Sequence, residues 1–243
     1  MTLLIQILMI IVVLVLVTLI MYGIKLLVEY LLYSKNNSPW IIEGSINGRN
    51  AKQIKQDPKD SGAITLYRSD DEAGGAVCSY SIWFVIDDPN HNKGEWKHIF
   101  HKGNQSGYPN RAPGVYLHPE ENKLRIYMNT FTKVLEYIDI PNIPIKKWVH
   151  CVITLNGKYM DIYINGYLRK RKELDGVPKQ NFGDVWLSMN GGFGGYISNF
   201  RYYRKALTYY EIENITQDGP SAEACIDSGQ PPPYLDNNWW FDV

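Results

Sequence analysis

The chain has 243 residues, enough for one sizeable domain with accessory segments and short of two full domains. With 25 basic and 25 acidic residues its formal net charge is zero, so binding driven by neutralising nucleic-acid phosphates is excluded as a leading function. Three cysteines (Cys78, Cys151, Cys225), with no C-x-x-C pair, exclude a disulfide-stapled scaffold and argue against a zinc site.

Leu3 to Ile24 reads LLIQILMIIVVLVLVTLIMYGI, broken only by Gln6, Thr18 and Gly23. As a helix rising 1.5 Å per residue it covers about 33 Å, close to the ~30 Å hydrocarbon core of a bilayer. A buried core helix would keep a polar stripe, and this run has none. A cleaved signal peptide would want a basic start and a small-x-small cleavage site, both missing here. Residues 3–24 are therefore expected to anchor the chain in a lipid bilayer, with residues 1–33 forming the anchor and a juxtamembrane helix. Lys25 and Lys35 follow the span and none precedes it, which biases the rest of the chain toward the cytosol. Cys78 and Cys151 lie in apolar runs, read as small buried hydrophobes, and agree with a reducing compartment. With that topology the sequons at Asn36, Asn104 and Asn214 are chance matches.

Residues 34–60 read as a polar linker with room for a first strand, marked by Ser38-Pro39 and Asp57-Pro58. Strand signals then follow at Ala63–Arg68, Cys78–Ile86, Trp96–His101, Gly114–His118 and Lys123–Met128, each β-branched or aromatic and separated by turn residues. From Trp148 to Leu174 the pairs Asn156-Gly157 and Asn165-Gly166 bracket the alternating Tyr159–Ile164. Asn-Gly supplies the positive φ angles of type I′ turns, so this stretch predicts a three-stranded meander. Asp184–Met189 and Tyr196–Tyr203 add strands beyond it. Thr208 with Glu211 is a capping-box pair opening a short helix over Tyr209–Thr216, ended by Gly219-Pro220. The fold class expected over residues 61–219 is an all-β antiparallel sandwich of jelly-roll type, with an N-terminal transmembrane helix and one short helix near the C-terminus. Residues 220–243 are expected to form an extended tail in which Pro231-Pro232-Pro233 precedes Trp239, Trp240 and Phe241. These three are either candidate anchors for a docking partner or rings that fold back onto the domain or the membrane surface.

Trp148-Val149-His150, Leu155-Asn156-Gly157 and Ile162-Tyr163-Ile164-Asn165-Gly166 resemble the core motif of laminin G-like, concanavalin A-type jelly rolls. Gly195-Tyr196-Ile197, Arg201 to Leu207 and Thr208 to Glu211-Ile212 are similar to the closing block of the same family. Leu66 to Gly75 with Ser79 to Trp83 resembles a variant found in membrane-anchored proteins of large DNA viruses. The resemblance implies Trp148, Asn156, Gly157, Asn165, Gly166, Gly195, Thr208 and Glu211 as fold-defining residues. It also implies a glucanase relationship that the residues do not sustain. Retaining glycosidases need two carboxylates about 5–5.5 Å apart, and the glucanase E-x-D-x-x-E strand is missing. Glu211-x-Glu213 falls in the predicted helix, where i and i+2 diverge. The chain is expected not to be an enzyme.

No cofactor is implied. Calcium between loops has candidate acids in Asp70, Asp71 and Asp184, but turn formation explains them better. His98-x-x-His101 would point its rings to opposite faces of a strand, against metal binding. Arg169, Lys170, Arg171 and Lys172 form a basic run that could meet anionic lipid or glycan, while a charged strand guarding a sheet edge explains it more simply. The leading expectation is a non-enzymatic structural protein, a minor capsid or virion membrane protein, docking neighbouring capsid or membrane proteins. The alternative is a membrane-tethered lectin that binds glycan.

Overall fold

The computed structural model describes residues 2–69, 75–223 and 225, which divide into two compact units at Ser38. The first unit is α1 (Thr2–Asn37). Within it Ile5–Leu31, 27 residues of mean hydropathy 3.1, is long and apolar enough to cross a membrane. The apolar run thus continues past Ile24. Lys25 and Glu29 pair across one turn at 3.7 Å.

The second unit holds two six-stranded antiparallel sheets. One carries, in order, β1 (Trp40–Asn47), β12 (Gly194–Tyr203), β3 (Val77–Asp88), β8 (Trp148–Asn156), β9 (Tyr159–Ile164) and β10 (Tyr167–Glu173). The other carries β2 (Lys52–Ile54), β11 (Asp184–Leu187), β4 (Lys97–Gly103), β5 (Arg111–Leu117), β6 (Lys123–Met128) and β7 (Glu136–Pro141). This is the expected jelly-roll sandwich. Both β1 and β2 fall within residues 34–60.

Strand alternation builds the core. On β3, Cys78, Tyr80, Ile82, Phe84 and Ile86 point inward, and Val149, Cys151, Ile153 and Leu155 of β8 pair beside them. Phe100 meets Phe200 at 4.4 Å between ring centroids, across the two sheets. All three cysteines are free and buried. Burial pushes the thiols of Cys78 and Cys151 up to about 12, so they behave as inert apolar groups.

Several expectations need correction. Ala63–Arg68 is not a strand. The Gln56 side chain holds it instead, donating to Ile64 O at 2.8 Å and accepting from Leu66 N–H at 3.0 Å. Glu136–Pro141 is a strand that went unrecognised. Asn165 (φ 51°) and Gly166 (φ 83°) make the expected type I′ turn, but at the other hairpin the positive φ falls on Gly157 (61°) and not on Asn156. That loop is Gly157-Lys158, with glycine at the first central position as in a type II′ turn. At Gly195 a Cβ would lie 1.8 Å from Val85 O, so only glycine lets β12 approach β3 so closely.

The outer face of the first sheet is covered from within the chain. Ser79 Oγ donates to Lys205 O and accepts from Leu207 N–H, drawing the segment after β12 across the sheet. There α2 (Tyr209–Asp218) begins with the expected capping box, Thr208 and Glu211 each bonding the other's backbone. Ile212 packs on Val152 and Leu207, flanked by Tyr163, Tyr203 and Ile215. Beneath the helix His150 stacks on Trp83 at 4.7 Å. Thr216 Oγ1 donates to Ile212 O, so it accepts from His150 Nδ1–H at 2.7 Å, leaving Nε2 to accept from Ser81 Oγ–H at 2.8 Å. This neutral imidazole pins α2 to the sheet, and burial pushes its pKa down to about 3.

A histidine whose folded pKa lies below its unfolded 6.5 stays neutral while the unfolded chain takes up the proton. Its stability contribution is full above about pH 6.5 and is lost as pH falls toward 3. The domain is expected to weaken by a few kcal/mol across that window, read from denaturation midpoints. His150→Gln should lower stability at neutral pH and flatten part of the slope. An unchanged slope in that variant would refute the pin.

Candidate functional site

The outer face of the second sheet is open over β5 to β7, while over β4 His98 and His101 are each 2 % exposed. Register places Gln53, Trp186, His101, Gly114, Tyr127 and Tyr137 side by side across β2, β11, β4, β5, β6 and β7. A second row runs His98, Tyr116, Arg125 and Asp139. The inward partners on β6 and β7 are Leu124, Ile126, Met128, Ile138 and Ile140, all core residues, so alternation forces these polar and aromatic neighbours outward.

The rings form a continuous ladder. Centroids stand 4.9 Å apart for His98–Tyr116, 5.7 Å for Tyr116–Tyr127 and 5.8 Å for Tyr127–Tyr137. Trp96 flanks it, 37 % exposed, and Tyr137 is 43 % exposed. Gly114 opens a gap between the rows: a Cβ there would come within 3.2 Å of Arg111 Cδ and 3.3 Å of the Tyr116 ring. Arg111 crosses this gap with its guanidinium 3.8 Å over Tyr127 and 5.4 Å from Tyr116. Its Nε is buried without a hydrogen-bond partner, and no carboxylate among the described residues pairs with it. Arg125 differs. It lies 3.9 Å over Tyr137 but makes two 2.7 Å bonds to the Asp139 carboxylate. That pairing holds the Asp139 carboxyl below its usual range and raises the arginine.

His98 and His101 do not point to opposite faces as expected. A bulge between His98 and Phe100 adds a residue, which brings both rings onto one side of β4. Met189 N–H donates to His98 Nδ1 at 2.9 Å, so His98 Nε2–H donates to His101 Nδ1 at 2.7 Å, and His101 Nε2–H to Asn104 O at 2.7 Å. The relay needs both rings neutral, and burial lowers both pKa values. It ties the 104–110 loop to the face, where Gly107 packs against His101 and Tyr116.

The sequence-derived candidates lie elsewhere. Trp239, Trp240 and Phe241 fall outside the described residues, as do Asp70 and Asp71. Arg169 to Lys172 lie on β10, the edge of the first sheet. Arg171 makes two 2.7 Å bonds to Asp161, Lys172 Nζ donates to Tyr137 O at 2.9 Å, and Lys170 Nζ to Asp139 O at 3.5 Å. The basic run therefore joins the edges of the two sheets. Asp184 accepts from Gln53 and from Gln56 N–H, and no group of three metal-ligating side chains occurs among the described residues. The residues of the open face were missed. The alternation of Lys123-Leu124-Arg125-Ile126-Tyr127-Met128 was the available signal.

The sequence profile of the concanavalin A-like lectin/glucanases superfamily matches residues 58–213. The chain belongs to that superfamily. Its β1 and β2 precede the matched region. No curated protein matches the chain in sequence. Among solved structures, the receptor-binding domain of botulinum neurotoxin D aligns at TM-score 0.53 and 16% identity, covering 76% of this chain and 53% of that one. The HCR/D F1240A mutant aligns at TM-score 0.52 and 15% identity, covering 76% and 52%. A serotype D ligand-binding domain in complex with N-acetylneuraminic acid aligns at TM-score 0.50 and 16% identity, covering 76% and 52%. The chain spans about half the length of these structures, and at such identities the likeness is one of fold.

Removing a basic side chain from β10 tests its structural role. Lys172→Ala leaves the buried Glu136 carboxylate, 3.5 Å away, with only the Asp175 N–H, and is expected to cost about 1–3 kcal/mol in denaturant unfolding. Arg169→Ala should stay within about 0.5 kcal/mol, since it removes an exposed group. Equal losses would refute the distinction.

Proposed function

We propose that the chain is a membrane-anchored, non-catalytic lectin that binds acidic glycan across the outer face of its second sheet. The observation that carries this reading is the unbroken ring ladder with the Arg111 guanidinium lying on it and no anion beside it. Sugar rings present apolar C–H faces that pack on aromatic side chains, while a few fixed polar groups set orientation. A guanidinium without a protein carboxylate selects a ligand carboxylate or sulfate through charge-assisted bonds. The sialic acid held by a domain of similar fold is an acid sugar of this kind. Hydrolysis is not part of the reading. Asp139, the carboxylate in the two rows, is bound up by Arg125, and Glu211 closes the helix cap.

A glycan ligand puts the domain outside the cytosol, against the bias of Lys25 and Lys35. That bias rests on two lysines alone, and the thiols of Cys78 and Cys151, buried and pushed up to about 12, are inert in either compartment. The reading as a virion or capsid component rests on sequence resemblance alone, and the open face favours the lectin instead.

Titration of the full chain with sialylated and desialylated oligosaccharides, followed by calorimetry, tests the proposal. Sialylated glycan should bind at least about tenfold more tightly, and Arg111→Ala should abolish that preference, in line with the ~1.5–3 kcal/mol of a hydrogen bond to a charged group. Tyr127→Ala should weaken both ligands. Binding that is indifferent to both substitutions would overturn the assignment of the face.

A further inference from the structure

One end of the sandwich is unusually apolar. The loops joining β2–β3, β4–β5, β6–β7 and β10–β11 meet there, at the end where β3 begins and β4 finishes. Asn129 ties three of them together. It accepts from Arg111 N–H at 2.7 Å through its side chain and from Lys179 N–H at 2.8 Å through its carbonyl, while Phe131 N–H donates to Val177 O at 3.1 Å. Phe131 and Phe182 protrude from this rim at 73 % and 78 % exposure, with Val134, Leu135 and Val177 also exposed. Among the described residues of the sandwich, the only other exposed large side chains without a polar atom are Ile145 and Leu168. Phenyl rings have no polar tip to offer water, and a patch concentrated on one rim marks a contact surface.

The chain itself indicates the occupant. Strand β1 begins at this same end, since Trp40 pairs with Arg201 near the finish of β12. The apolar segment Ile5–Leu31 precedes it, separated by residues 32–39 alone. Even fully extended, that tether reaches no further than about 30 Å. The opposite rim lies a strand length beyond, about 40 Å for the 12 residues of β3. The short tether that leaves from this end limits how far the rim can stand from a bilayer that holds residues 5–31.

We propose that this rim, led by Phe131 and Phe182, docks on the surface of the bilayer that holds α1, inserting its rings at the headgroup boundary. The inference rests on the anchor reading but is independent of glycan binding. Lys133 is paired with Asp175 at 2.6 Å, and the Arg68 guanidinium lies 5.7 Å from the centroid of the Phe182 ring. Apolar insertion of the two rings, rather than lipid charge, carries the docking, so a zwitterionic bilayer suffices.

The test uses the full chain reconstituted in phosphatidylcholine vesicles. A single environment-sensitive dye is attached at Phe131→Cys, at Phe182→Cys or, on the opposite rim, at Glu120→Cys. The native thiols are buried and do not compete. Headgroup-level nitroxide lipid should quench the two near-rim dyes roughly threefold or more above the far-rim dye, as insertion of about 5–10 Å requires. Adding anionic lipid should leave the ratio unchanged. Equal quenching at both rims, or protection that grows with protein density and ignores nitroxide lipid, overturns the proposal in favour of no docking or of self-association. Release of the intact chain by carbonate would sink the anchor and the docking with it, whereas retention without quenching sinks the docking alone.

Discussion

Two six-stranded sheets can bury only one face each against the other, and every other property of the sandwich follows from that limit. Strand period fixes what the inner faces take. Cys78 through Ile86 on β3 and Leu124 through Met128 on β6 give alternate residues to the core. Their neighbours in sequence then have no choice but to line an outer surface in cross-strand rows. A ladder of rings on one outer face is thus the counterpart of the aliphatic rows behind it. A one-residue slip of β6 would exchange Arg125 and Tyr127 for Leu124 and Ile126, so the site is held in register by the core.

The two outer faces are handled in opposite ways. Over β3, β8 and β9 the chain returns after β12, crosses on Ser79 and lays α2 over His150 and Val152. That face is closed by a helix which, at ten residues, would be marginal alone and depends on its tertiary contacts. Over β5 to β7 nothing in the described chain returns. The 104–110 loop borders this surface instead, fixed by the His98–His101 relay. Closing one face and bordering the other leaves one open platform over β5 to β7 among the described residues.

Much of the architecture was legible in the sequence because period and turn chemistry are local. The meander from Trp148 to Glu173, the Asn165-Gly166 turn, the Thr208 cap and the apolar helix could all be read directly. The misreadings share a cause, since they depend on partners distant in sequence. Ala63–Arg68 has strand composition, but its backbone groups are satisfied by Gln56, so it never joins a ladder. Glu136–Pro141 is short and carries two acids, and becomes a strand because β6 pairs with it residue by residue. The histidine pair was misassigned because a bulge cannot be seen in spacing alone. Arg169 to Lys172 do lie on an edge strand, as a charged strand guarding a sheet edge implies, but the acceptors of Lys170 and Lys172 on β7 could not be seen in sequence. The candidate site was the least legible part. Its rows combine six strands, and composition does not announce which alternate residues will share a surface.

Charge on the open face is sorted by the same hydrogen-bond logic. Each histidine of the relay already uses one nitrogen as an acceptor, so adding a proton would set two donors against each other. Their lowered pKa values therefore follow from geometry as well as from burial, and both stay neutral where a free imidazole would titrate. Arg125 is neutralised by Asp139, and Lys123 by Glu121 at 2.7 Å. Arg111 is what remains, a permanent cation held on rings whose π faces attract it but cannot neutralise it. A surface with one uncompensated charge among stacked rings discriminates by where a ligand carries its anion relative to its apolar face. That constraint is stricter than net charge, and it allows a chain with no net charge overall to be selective for acidic ligands.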